Sequence, residues 1–123
     1  FALPCDVLVP AALERQVTEA VARTLRCGVL VEGANGPTTP GGERVLAERG
    51  IPVVPDILAN AGGVVVSYYE WYQNVHKETW DAARVERAME QTLVPIVRAM
   101  RKSAKTPRAF CYHRAFDALA AAL

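Results

Sequence analysis

Three short apolar runs alternate with helical patterns, and this alternation constrains the fold more than any other feature. Cys5–Pro10 (CDVLVP) is rich in valine and ends at Pro10. Residues 12–26 then place Leu13, Val17, Ala20, Val21, Thr24 and Leu25 on one helical face, with Gly28 closing the helix. Val29-Leu30-Val31 is the second run, followed by EGANGPTTPGG. The next helix spans Pro40 to Arg49, with Thr39 as N-cap, Pro40 at the first helical position and Gly50 past the end. Ile51–Val54 is the third run, closed by Pro55-Asp56. Strands separated by helices pair in parallel, because a parallel neighbour can be reached only by a crossover. Runs this uniformly apolar predict a sheet covered on both faces, with CDVLVPA as a core strand.

The stretch PDILANAGGVVVSYYEW (55–71) is ambiguous at first sight. Read as a helix over 60–75, it aligns Val64, Val65, Tyr68, Trp71, Tyr72 and Val75 in one apolar stripe. Gly63, Ser67, Glu70 and Asn74 then form a second stripe of small or polar groups. Three valines followed by two tyrosines do not alternate, so a strand is rejected, although β-branched residues weaken the helix. Asn60 is the expected N-cap. Residues 81–105 predict a long amphipathic helix through Val85, Met89, Leu93, Ile96 and Met100, capped by Asp81 and kinked or broken at Pro95. KTPR (105–108) predicts a turn. A last helix over 108–122 offers Phe110, Cys111, Phe116, Leu119 and Ala120 for packing.

The fold class is therefore α/β: a partial Rossmann-like layer of three mostly parallel strands with crossover helices, followed by C-terminal helices. The expected division is 1–80 for the layer and 81–123 for a helical segment packed on it. With 51% apolar residues among 123 and a net charge of +1, the composition excludes a disordered chain and points to no charged partner. Cys5, Cys27 and Cys111 form no CxxC pair, which fits reduced thiols and a cytoplasmic location. No apolar run has the length of a membrane span, so no membrane partner is expected. From Thr92 to Phe116 there is no Asp or Glu, but six Lys and Arg. Without interleaved aromatics this reads as a solvated helix face, and no nucleic-acid partner is expected. A strand beginning within a few residues of Phe1 suggests that further polypeptide precedes it.

Ligands of open parallel sheets bind beyond the carboxyl ends of the strands. Ala11-Ala12, GANGPTT (33–39) and DILANAGG (56–63) fall there. Asn35 and Asn60 each follow a strand and offer carboxamides that match another carboxamide or a ribose hydroxyl, or serve only as turn and cap residues. On the helix, Ser67 lies seven residues beyond Asn60, about 10 Å at ~1.5 Å per residue, with Val64 as an apolar wall between them. The competing reading of Ser67 is a serine facing solvent or bonded to its own helix. His76 and His113 are not in a metal-ligand pattern, and no metal site is expected. GxSxG, GxGxxG and GxxxxGK[ST] are absent.

The blocks CDVLVPAALE, VEGANGPTTP and GIPVVPDILANAGGVVVSYYEWYQN, in this order and spacing, resemble the C-terminal part of the glutamate dehydrogenase family, within the wider glutamate, leucine, phenylalanine and valine dehydrogenases. The VSYYEW version resembles the glutamate branch. The resemblance implies oxidative deamination of L-glutamate to 2-oxoglutarate and ammonia, with hydride transfer to NAD or NADP, in a homohexamer of the cytoplasm or, in a eukaryote, the mitochondrial matrix. It implies cofactor contacts at Asn35, near the nicotinamide ribose, and at Asn60, near the carboxamide; Ala11 and Ala12, beyond the end of the first strand, join them as candidate cofactor contacts. Val64 and Ser67 match the substrate side-chain pocket, Ser67 donating to the distal carboxylate. The family's catalytic lysine and aspartate and its glycine-rich dinucleotide turn lie in the part that precedes Phe1, so no catalytic residue is expected in 1–123. PGGER after TTP and PRAFCYHRAF near the end depart from the family pattern. The alternative reading is a truncated, non-catalytic relative that binds a nucleotide or another subunit.

Overall fold

A computed structural model describes all residues, 1–123. They form two compact units, Phe1–Asn60 and Ala61–Leu123. These units divide at Asn60, whereas the sequence places the end of its first domain at 80.

In the first unit, β1 (Cys5–Leu8), β2 (Cys27–Val31) and β3 (Val53–Val54) form one sheet in the order β1-β2-β3. All pairing is parallel, with Val7 opposite Val29, Leu30 opposite both Leu8 and Val53, and Val31 opposite Val54. Helix α1 (Glu19–Thr24) crosses from β1 to β2, and α2 (Pro40–Glu48) crosses from β2 to β3. A single turn, α3 (Asp56–Ala59), closes the unit. The core lies between α1, α2 and the sheet: Val17, Ala22, Leu25, Cys27, Leu30, Val45 and Leu46 are buried together, with Leu8, Val21, Ile51 and Val53 packed at its margin.

The second crossover follows the sequence closely. Thr39 Oγ1 accepts from the Gly42 amide, Pro40 occupies the first turn, and Gly50 takes the left-handed φ of +68° that ends a helix. The first crossover does not. Residues 12–18 are not helical, because Val17 spends its backbone elsewhere. Its amide donates to Pro37 O, and its carbonyl accepts from the Thr39 amide, in an isolated parallel bridge. Arg15 has a φ of +56°, and Thr18 is the true N-cap. Leu13 is consequently exposed, as are Ala20 and Thr24. Gly28 lies inside β2, not at a helix end. A Cβ at Gly28 would come within 2.9 Å of Asp6 O.

β1 is not the expected core strand. It has β2 along one edge, and all its residues but Leu8 are exposed; Val7 and the adjacent Val9 are about half exposed. Full two-sided burial is thus absent in this sheet, and its deepest positions are Cys27 and Leu30 of the central strand.

In the second unit, α4 (Ala61–His76), α5 (Ala82–Lys102) and α6 (Pro107–Ala121) follow one another, α4 packing on α5 and α5 on α6. Residues 61–76 are helical, as their periodicity requires. The covered face, however, is Gly62, Val65, Tyr69, Tyr72 and Gln73. Val64, Tyr68, Trp71 and Val75 of the predicted apolar stripe are exposed. The Tyr69 hydroxyl fixes this rotation by bonding to Ala88 O and Thr92 Oγ1 on α5. Asp81 caps α5 as expected, its carboxylate accepting from the Arg84 amide at 2.7 Å, and Val85, Met89, Leu93, Ile96 and Met100 form its packing face. Pro95 does not break α5, which runs through it. In α6, Cys111 is buried and Phe110 half-buried, but Phe116, Leu119 and Ala120 are exposed, contrary to their expected packing.

Candidate functional site at the strand ends

The segments following β2 and β3 are stapled together by side chains. Glu32, the residue after β2, is fully buried, and its Oε2 accepts from the Asp56 amide at 2.8 Å. Asp56 Oδ2 in turn accepts from the Gly36 amide at 2.8 Å. At the other end of α3, Asn60 Nδ2 donates to Asn35 Oδ1 at 2.7 Å and lies 3.4 Å from Gly33 O. The Gly33 carbonyl and Asn35 together fix which way the Asn60 amide points. What the pair leaves over is one acceptor, Asn60 Oδ1, and the two hydrogens of Asn35 Nδ2. That combination is complementary to a primary carboxamide, which offers two donors and an acceptor.

Asn60 was expected as the N-cap of α4. It is instead the C-cap of α3, with φ −104° and ψ 6°, and its side chain bonds to the loop after β2. A cap assignment therefore does not account for its side chain. Asn35 is exposed and Asn60 half-buried, so the pair is accessible. Beside them, Pro10 O accepts from the Ala34 amide, and a Cβ on Gly33 would reach to 3.0 Å from the Ala11 Cβ. Ala11 and Ala12 are exposed and line a shallow concavity of about 240 Å³ with Val9, Pro10 and Leu13. The structure thus assembles Ala11, Asn35 and Asn60 around Gly33 and Ala34. Val64 and Ser67 lie within one turn of each other on α4, both exposed.

Glu32 and Asp56 were missed by sequence reasoning. A signal existed: the second and third apolar runs each end in a lone acid within two residues, Val31-Glu32 and Val54-Pro55-Asp56. A carboxylate placed there is close enough to a sheet end to bond loop amides. Elsewhere, His76 stacks on Tyr72 with Nδ1 2.9 Å from Tyr72 O. Another concavity, about 530 Å³, lies along α6 among Lys105, Phe110, His113, Arg114 and Asp117, and includes none of the predicted residues. Burial pushes the Cys27 and Cys111 thiols up, so both are held as poor nucleophiles at neutral pH.

Comparison with known proteins gives the family of the chain. The chain matches the family described as Glutamate/Leucine/Phenylalanine/Valine dehydrogenase over residues 1–123. It belongs to that family. Among curated relatives it is 48% identical over 99 residues to glutamate dehydrogenase B of Halobacterium salinarum, covering 80% of this chain and 23% of that protein. It is 50% identical over 93 residues to the NAD-specific glutamate dehydrogenase of Staphylococcus aureus, covering 76% of this chain and 22% of that one. The crystal structure of glutamate dehydrogenase from Peptoniphilus asaccharolyticus superimposes with a TM-score of 0.85 at 43% identity, covering 93% of this chain and 30% of that one. A hetero-hexameric glutamate dehydrogenase from Thermus thermophilus matches with a TM-score of 0.75 at 30% identity, covering 86% of this chain and 26% of that one. The chain thus spans less than a quarter of the length of these two curated relatives.

Proposed function

We propose that residues 1–123 are the part of a glutamate dehydrogenase that holds the nicotinamide end of the coenzyme and the side chain of the substrate. The reaction is oxidative deamination of L-glutamate to 2-oxoglutarate and ammonia. NAD or NADP, when bound, accepts the hydride. Asn60 Oδ1 and Asn35 Nδ2 recognise the carboxamide and adjoining ribose, and Ala11 and Ala12 leave room beside them. Val64 contacts the methylenes of glutamate, and the Ser67 hydroxyl donates to its distal carboxylate. The general acid/base, the groups for the α-carboxylate and the pyrophosphate turn come from the remainder of the polypeptide, in a cytoplasmic or mitochondrial-matrix homohexamer.

The observation that carries this reading is the Asn60–Asn35 bond, which orients two amides so that their unused groups match a carboxamide. The relatives named as glutamate dehydrogenases support the substrate. The test compares binding of the oxidised coenzyme with binding of ADP-ribose (or its 2′-phosphate), which lacks nicotinamide, in the intact polypeptide. Asn60→Ala should weaken coenzyme binding about tenfold, the effect of losing roughly one hydrogen bond at ~1.4 kcal/mol per decade. ADP-ribose binding should hardly change. Equal weakening of both, or of neither, would refute the assignment.

A further inference from the structure

We infer that Glu32 is a positioning residue for the nicotinamide-side amides, acting through α3; the inference rests on the proposed role of Asn60. Helix α3 has only four residues, far below the length at which a helix holds itself together in water. Its N-cap position is Pro55, which provides no side-chain cap. The cap comes instead from 24 residues away: Glu32 Oε2 accepts the first helical amide, that of Asp56. A carboxylate at this position also interacts favourably with the helix N-terminus. One turn later the chain reaches Asn60, whose amide accompanies Asn35. The same residue that Glu32 holds by its backbone, Asp56, holds the Gly36 amide by its side chain, next to Asn35. Glu32 therefore fixes one end of a short lever whose other end carries Asn60, and through Asp56 it steadies the loop that carries Asn35. Glu32 is fully buried, and a carboxylate is costly to bury, so a merely space-filling residue would be apolar here.

Three variants of the intact polypeptide test this. Glu32→Ala removes the acceptor, Glu32→Asp withdraws it by one methylene, and Glu32→Gln keeps an acceptor at the same reach. Binding of the oxidised coenzyme and of ADP-ribose (or its 2′-phosphate) is measured for each, together with amide hydrogen exchange of residues 56–60 without coenzyme. Glu32→Ala and Glu32→Asp should speed exchange across 56–60 and weaken the coenzyme roughly tenfold or more, as expected when a contact group is displaced by about 1 Å. ADP-ribose, which keeps the ribose but lacks the nicotinamide, should lose clearly less, and Glu32→Gln should recover most of the loss. In an Asn60→Ala background, Glu32→Ala should cost less than it does alone. Equal loss for coenzyme and ADP-ribose, no loss in the variants that fold, or failure of both Ala and Asp variants to fold would overturn the inference. If Asn60→Ala alone leaves the coenzyme-to-ADP-ribose ratio unchanged, the site reading itself fails, a result separable from failure of Glu32 alone.

Discussion

Replacing Ser67 by alanine removes one hydroxyl from an exposed position on α4. If that hydroxyl donates to the distal carboxylate of glutamate, the lost bond is one to a charged group, about 1.5–3 kcal/mol. Catalytic efficiency of the intact enzyme with glutamate should then fall roughly 10- to 150-fold at ~1.4 kcal/mol per decade. Norvaline has no distal carboxylate and should lose much less. Steady-state kinetics on both substrates check this, and equal losses would reduce Ser67 to an ordinary helix residue. Asn35 and Asn60 were legible in the sequence as amides beyond strand ends. Their mutual bond was not, because it joins residues 25 apart through the pairing of Leu30 and Val31 with Val53 and Val54. Glu32 stayed hidden for a related reason: an acid after an apolar run looks exposed until its amide partner, 24 residues on, is brought to it.

At the scale of elements, periodicity identified helices more reliably than the faces they bury. Apolar spacing in 12–26 is compatible with a helix, but the bridge between Val17 and Thr38 competes for the same backbone and wins. In 61–76 the helix forms, yet the bonds of Tyr69 to α5 select a face that the valine stripe did not indicate. Two element-level outcomes follow from the observed bonds. The Arg49 guanidinium reaches back from the end of α2 to the carbonyls of Ala22 and, at 2.7 Å, Leu25, satisfying the otherwise open end of α1. Arg49→Ala should destabilise the chain by about 1–3 kcal/mol in chemical denaturation, and Arg49→Lys should restore only part, since an ammonium lacks the fork that spans two carbonyls. A loss below a few tenths of a kcal/mol would show that water replaces the guanidinium. Pro95 lies exposed within the unbroken α5, where proline costs about 3 kcal/mol relative to alanine. Pro95→Ala should raise stability by roughly 1–3 kcal/mol, measured by the same denaturation. A decrease would mean that the packing of α5 on its neighbours in the second unit uses a bend that proline supplies.

Across the whole molecule, the parallel β1-β2-β3 order with a helix in each crossover follows from the strand–helix alternation of the sequence, and the family match covers its full length. What the alternation could not convey is how little of β1 is covered, since burial depends on what stands beside a strand and not on its composition. The competing reading, a nucleotide- or subunit-binding relative without catalysis, predicts the same fold and the same Asn60–Asn35 bond. Activity separates the two. The deciding measurement is the initial rate of NAD or NADP reduction with L-glutamate, by the intact polypeptide and by the isolated 1–123 chain. The intact polypeptide should reduce coenzyme in a glutamate-dependent way, and the isolated chain should show no turnover, because hydride transfer needs a general acid/base that residues 1–123 are not proposed to supply. No glutamate-dependent reduction by the intact polypeptide, or turnover by the isolated chain, would contradict this account.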